Sequence, residues 1–144
     1  MNNILVVCIG NICRSPMAEA YLQAKLPGSR VTSSGVGALE GRSADPNAVQ
    51  LMSEELIDIR GHVARQISVL DVSQADLILV MDKEQKRWIE SRFTSARGKV
   101  FRICEQQEID VPDPYREGIE SFRHALQLIK IGADVWAKNI KKMS

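Results

Sequence analysis

Cysteine is scarce in this 144-residue chain, with three in all, at positions 8, 13 and 104. An odd, sparse set without a signal sequence argues against a disulfide scaffold and for a reducing cytoplasm. Long apolar runs are missing as well. The longest, residues 4–9 and 77–81, fall far short of the roughly 20 residues of a membrane span. Arg14 interrupts the first too early for a secretory leader. Neither sign of charge is in excess: 19 Lys and Arg face 18 Asp and Glu. That balance excludes a generally basic nucleic-acid binder and an acidic tail, but leaves room for one local anion site. Repeats, low-complexity tracts and long linkers are absent, so residues 1–144 are expected to form one domain. What remains is an ordinary globular composition, 44% hydrophobic, enough to bury a core.

The apolar pattern predicts an α/β fold. Residues 3–7 and 77–81 are continuous apolar runs, as expected of strands covered on both faces. Residues 31–34 and 99–103 read as two shorter strands. Ser15-Pro16 predicts a helix start, with Pro at the first helical position, running to about Leu26 before Pro27-Gly28. Asp45-Pro46 predicts another, with Val49, Met52 and Leu56 on its buried face. Residues 83–92 form a short charged helix. Ile119, Phe122, Leu126, Ile129, Ala133, Trp136 and Ile140 alternate spacings of three and four and mark a long final helix. Strands alternating with helices imply a parallel four-stranded sheet, helices on both faces and right-handed crossovers. Ligands of such sheets bind beyond the carboxyl ends of the strands, which singles out residues 8–15.

That segment is Cys8-Ile9-Gly10-Asn11-Ile12-Cys13-Arg14-Ser15. A loop of this length between a buried strand and a helix N-terminus can wrap one tetrahedral oxyanion in backbone N–H groups, with the helix dipole adding positive potential. Arg14 can bind two of its oxygens bidentately. Cys8, at the strand end, lies at the floor of the cradle, where donors and cation favour the thiolate. A thiolate there can attack phosphorus and form a phospho-cysteine. Gly10 permits close approach or an unusual dihedral. Asn11 tolerates a left-handed backbone and can brace the loop. Ser15 can donate to the thiolate, or cap the helix.

Cys8 and Cys13 do not have Cys-x-x-Cys spacing, so a thioredoxin-type site or zinc knuckle does not fit. The glycines of residues 35–41 miss the dinucleotide spacing, and no glycine loop ends in Gly-Lys-Ser/Thr. His62 and His124 have no clustered partners, so no metal is expected, nor any other cofactor. Expelling an alkoxide or phenoxide benefits from a proton donor. Asp113, between Pro112 and Pro114, is the best candidate, although Pro-Asp-Pro also suits an ordinary turn. Tyr115 could stack on an aromatic substrate.

Val7–Pro16 (VCIGNICRSP) resembles the signature of low-molecular-weight protein tyrosine phosphatases, and Asp113-Pro114-Tyr115 resembles their acid loop. Residues 62–67 (HVARQI) and 77–82 (LILVMD) also look like family segments in the right order. Residues 33–39 (SSGVGAL) and the chain length look most like bacterial members encoded with exopolysaccharide machinery. The resemblance implies Cys8 as nucleophile, Arg14 as phosphate and transition-state binder, and Asp113 as general acid and then base. Ser15 would assist the thiolate. Asn11, Ser33 and His62 would brace the loop, whose remaining members are Ile9, Gly10, Ile12 and Cys13. It implies a pocket wall at Leu39, where many members have an aromatic residue, and at Tyr115. Cys13 matches a second cysteine that can pair with Cys8 on oxidation; as a residue it also suits a small buried position. The implied enzyme is a cytoplasmic monomer acting on a tyrosine-phosphorylated protein, an autophosphorylating bacterial tyrosine kinase, without nucleic acid or membrane insertion. Two other readings are a thioredoxin-coupled arsenate reductase, for which two further relay cysteines are lacking, and a non-catalytic phosphotyrosine-binding module, which would be expected to lack the nucleophile, Arg or acid. Arg116 after Tyr115 and the absence of a C-terminal tyrosine cluster give no support for regulation by tyrosine phosphorylation.

Overall fold

The computed structural model describes residues 1–143. Four parallel strands, β1 (Asn3–Cys8), β2 (Arg30–Gly35), β3 (Leu77–Val80) and β4 (Val100–Arg102), lie in the order β2-β1-β3-β4. The helices are α1 (Arg14–Lys25), α2 (Pro46–Glu54), α3 (Val69–Gln74), α4 (Lys83–Arg92) and α5 (Ile119–Lys142). The period of two along β1 divides the core. Ile4, Val6 and Cys8 pack with Met17 and Leu22 of α1, Met52 of α2 and Phe122 and Ile129 of α5. Leu5 and Val7 face the opposite layer, with Val72 of α3 and Ile89 of α4. Both faces are covered, which is why β1 and β3 read as unbroken apolar runs.

The connection from β1 leads outward to β2, while β3 returns to the other side of β1. The carboxyl end of β1 is therefore the switch point of the sheet, where crevices open in such folds. Among the described residues no helix is long and apolar enough to cross a membrane.

Helix starts follow local chemistry. Asp45 caps α2 by accepting from the Asn47 N–H, with Pro46 next to it. Asp82 caps α4 by accepting from Gln85. The sequence reading omits α3, a six-residue helix begun by a capping box between Ser68 and Asp71. α1 begins at Arg14, two residues earlier than expected, so Pro16 is its third residue rather than its first. Ser15 is not its cap: Cys13 takes that position and supplies no side-chain bond. Leu56 is also corrected. α2 ends at Glu54, and Leu56 lies beyond it with φ of 64° and 95% exposure. The helical spacing continues in the sequence, but the chain has already turned. On α5 the expected face is buried from Phe122 to Ile140, with Ile119 and Trp136 at its margin. Gly132 on that helix packs against the Ile103 carbonyl so closely that a β-carbon would collide with it.

Candidate active site

β1 ends at Cys8, and the chain then curls for five residues before α1. The carbonyls of residues 8–12 are each held from outside the loop. The Cys8, Ile9 and Gly10 carbonyls accept from Val36, Gly37 and Leu39 N–H groups, all at 3.0 Å. The Asn11 carbonyl meets His62 Nε2 at 2.7 Å, and the Ile12 carbonyl accepts from Asp45 N–H at 2.8 Å. In a trans peptide the C=O and the following N–H point in opposite directions, and no peptide among the described residues is cis. Five carbonyls pulled outward therefore turn the N–H groups of residues 9–13 toward the centre of the loop. A carbonyl can only accept, so His62 donates from Nε2, which sets its tautomer.

Asn11 holds the interior. It is fully buried with φ of 59°, the left-handed backbone expected of it. Its amide nitrogen donates to Ser15 Oγ at 2.7 Å and Ser33 Oγ at 3.0 Å, and its amide oxygen accepts from Arg65 N–H. Ser33 in turn donates to Glu19 at 2.6 Å. Ser15 Oγ, accepting from Asn11, has its hydrogen free for Cys8 Sγ, 2.9 Å away. The expected donor to the nucleophile is thus oriented by its neighbours.

Arg14 is 2% exposed, and its guanidinium lies among groups from two distant segments, at Asp82 and at residues 111–113. Nη1 donates to the Val111 carbonyl at 2.7 Å and lies 3.8 Å from Asp82, while Nη2 lies 3.9 Å from Asp113. Nε is buried without a partner. A buried donor without an acceptor is costly, and the Nε–Nη2 edge is the one a tetrahedral oxyanion engages bidentately. Asp113 is half exposed, and its other oxygen accepts from Tyr115 N–H at 3.1 Å.

Cys8, Ile9, Gly10, Ile12, Cys13, Arg14, Gly37, Leu39, Asp113 and Tyr115 line one cleft of about 150 Å³. Its polar groups lie at the Cys8–Arg14 floor, and Ile9, Ile12, Leu39 and Tyr115 give it apolar walls. Ser33 and His62 lie behind the loop, outside the cleft. Cys13 is buried, and burial pushes its thiol well above the usual range, with the Asp45 carboxylate adding to the effect. Gly10 has an ordinary φ and loose packing; a β-carbon there would touch only Leu39 and Ile12 at normal contact distance. The glycine that the loop requires is Gly35, where a β-carbon would collide with the Ile9 carbonyl.

Three contributors escape sequence reasoning: Asp82, Glu19 and the Val111 carbonyl. Asp82 follows directly on an apolar strand, and that position at the carboxyl edge is a signal that could have found it. Glu19 and Val111 have none, because their roles depend on how α1 and the loop after β4 pack. Among the described residues no cluster of His, Cys, Asp and Glu is suited to a metal ion.

Comparison with known proteins places the chain in a family. Residues 3–144 match the low molecular weight phosphotyrosine protein phosphatase family. The probable low molecular weight protein-tyrosine-phosphatase EpsP of Ralstonia nicotianae is 50% identical over 143 residues, covering 99% of each chain. The structure of Vibrio vulnificus Wzb in complex with benzylphosphonate superposes with a TM-score of 0.92 at 42% identity, covering 96% of this chain and 98% of that one. The YwlE arginine phosphatase of Geobacillus stearothermophilus superposes with a TM-score of 0.93 at 34% identity, covering 99% and 95%. In sequence across nearly its whole length, and in fold, the chain belongs to the low molecular weight protein tyrosine phosphatases.

Proposed function

We propose that residues 1–144 act as one phosphatase domain that hydrolyses phosphotyrosine through a phospho-cysteine. The phosphate dianion enters the ring of N–H groups and binds the open edge of Arg14. Cys8 Sγ attacks phosphorus in line, and the bond from phosphorus to the phenolic oxygen breaks. Asp113 gives its proton to the departing oxygen. Water then attacks the phospho-cysteine and loses a proton to Asp113, while Cys8 leaves as a thiolate stabilised by the Ser15 hydroxyl. The observation that supports this reading most strongly is the combination at one strand end: five outward carbonyls, an unpartnered buried Arg14 Nε, and a serine hydroxyl directed at a cysteine. Leu39, Ile12 and Tyr115 supply walls suited to a flat apolar ring.

The physiological substrate proposed is an autophosphorylating tyrosine kinase of an exopolysaccharide system, met in the cytoplasm by a monomeric enzyme. The likeness to EpsP and Wzb supports this choice. The likeness to an arginine phosphatase makes phosphoarginine the substrate to test beside it. Matched peptides with phosphotyrosine or phosphoarginine at one position, assayed by phosphate release, decide between them. Turnover of the phosphotyrosine peptide alone is expected, and preference for phosphoarginine overturns the reading. Cys8→Ser should abolish turnover while still binding phosphate; undiminished kcat in that variant excludes the covalent route. The same variant, used to trap phosphoproteins from the native cell, should retain a tyrosine kinase.

A further inference from the structure

Pro114, Tyr115, Arg116 and Glu117 form a turn closed by the Glu117 N–H on the Pro114 carbonyl at 2.9 Å. Only its third residue, Arg116, has a positive φ, 65°, which makes it a type II turn. Glycine or asparagine normally takes that position, because a β-carbon strains it. An arginine there is a backbone outlier, and such outliers often sit at functional sites. Its side chain lies against the active site: the guanidinium carbon is 5.0 Å from the centre of the Tyr115 ring. Tyr115 lines the cleft and Arg116 does not, so the guanidinium backs the wall from outside. Arg116 is exposed, and among the described residues it pairs with no carboxylate. Stacking on a ring uses a guanidinium's face and leaves its edge donors free.

Resting on the phosphotyrosine reading above, we infer that Arg116 is a specificity-determining residue that binds an acidic side chain flanking the phosphotyrosine of the protein substrate. A phosphotyrosine seated between Leu39 and Tyr115 brings its neighbours in the peptide to the rim of the cleft. There Arg116 presents a fork that matches a carboxylate bidentately. A groove beside the rim, lined by Asp113, Glu117, Glu120 and His124, offers the opposite preference, and the two compete to set which flanking charge is read.

The test compares kcat/KM on three phosphotyrosine peptides, with acidic, neutral and basic flanks, for wild type, Arg116→Gln and Arg116→Lys. Wild type should prefer the acidic peptide. Arg116→Gln should lower the acidic-to-neutral ratio by about three- to fivefold, the scale of an exposed charge pair, mainly through KM. Arg116→Lys should retain part of the preference. Raising the salt concentration should shrink the wild-type ratio toward that of Arg116→Gln. An equal loss on acidic and neutral peptides overturns the inference in favour of a purely structural hold on Tyr115. A wild-type preference for basic flanks overturns it in favour of the neighbouring carboxylates. If wild type hydrolyses nitrophenyl phosphate but none of the three peptides, the phosphotyrosine reading fails, and this inference with it.

Discussion

In the proposed reaction, the residues Arg14 and Asp113 have separable tasks. Arg14 presents a planar edge, and lysine can supply its charge but not its fork. Arg14→Lys should therefore be nearly as damaging as Arg14→Ala, with kcat/KM down by at least about 100-fold; a loss under tenfold for the lysine variant contradicts bidentate binding. Asp113 is assigned the proton for the departing oxygen, so its importance should depend on the leaving group. A nitrophenolate leaves without help, whereas a tyrosine phenolate, with a pKa of about 10, does not. Asp113→Asn should lose far more kcat/KM on a phosphotyrosine peptide than on nitrophenyl phosphate. Equal losses assign Asp113 a positional role and move the search for the acid to Asp110 and Glu108. That Cys8, Arg14 and Asp113 share one cleft is legible in the sequence because each has a local mark: a strand end, a fixed spacing, a carboxylate between prolines. Glu19 is not, because it meets Ser33 only once α1 has packed on β2, and Asp82 shows only its place at a strand end, not its nearness to Arg14.

Among elements, the turn after α2 shows where pattern reading ends. Leu56 continues the three-and-four spacing of Val49 and Met52, yet the chain enters a left-handed turn and leaves Leu56 95% exposed. Spacing records which residues could share a face and says nothing of where the backbone stops being helical. Glycine at this position removes the strain and loses almost no burial. Leu56→Gly should stabilise the protein by about 0.5–1 kcal/mol, read as a higher denaturant midpoint at unchanged slope, with kcat unaffected; destabilisation means that the leucine has a contact worth more than its strain. The helix missed after residue 67 is the converse case. Its Ser68–Asp71 capping box was present in the sequence, but six residues are too few for an apolar period. The approach of β2 to the loop makes a third case. Gly35→Ala should place a methyl group against the Ile9 carbonyl. It should lower kcat/KM by more than tenfold, tested on folded variant whose circular dichroism matches wild type.

For the whole molecule, the first strand is tied at both ends. At its start, the Asp76 carboxylate accepts from the N–H groups of Asn3 and Asn2. Those bonds hold its pKa below the ordinary carboxylate value. A depressed folded value means that the contribution to stability is full above the unfolded pKa near 4 and vanishes as pH falls through the folded one. Asp76→Ala should then be less stable than wild type at pH 7, by no more than about 1 kcal/mol for so exposed a site, and the difference should shrink as pH falls below about 4; a gap that stays constant through acid pH has another origin. At the end of the strand, the loop carbonyls are fastened to residues 36–39, Asp45 and His62. An anion seated inside the loop therefore acts as a reversible cross-link among segments remote in the chain. Inorganic phosphate, the product of the proposed reaction, should bind the native protein and not the unfolded chain. At a hundred times its dissociation constant it adds about 2.7 kcal/mol to the free energy of unfolding. A product that occupies the cleft would thus also be a chemical chaperone for the enzyme that releases it, and the dissociation constant fitted from the logarithmic rise in stability with phosphate should equal its inhibition constant.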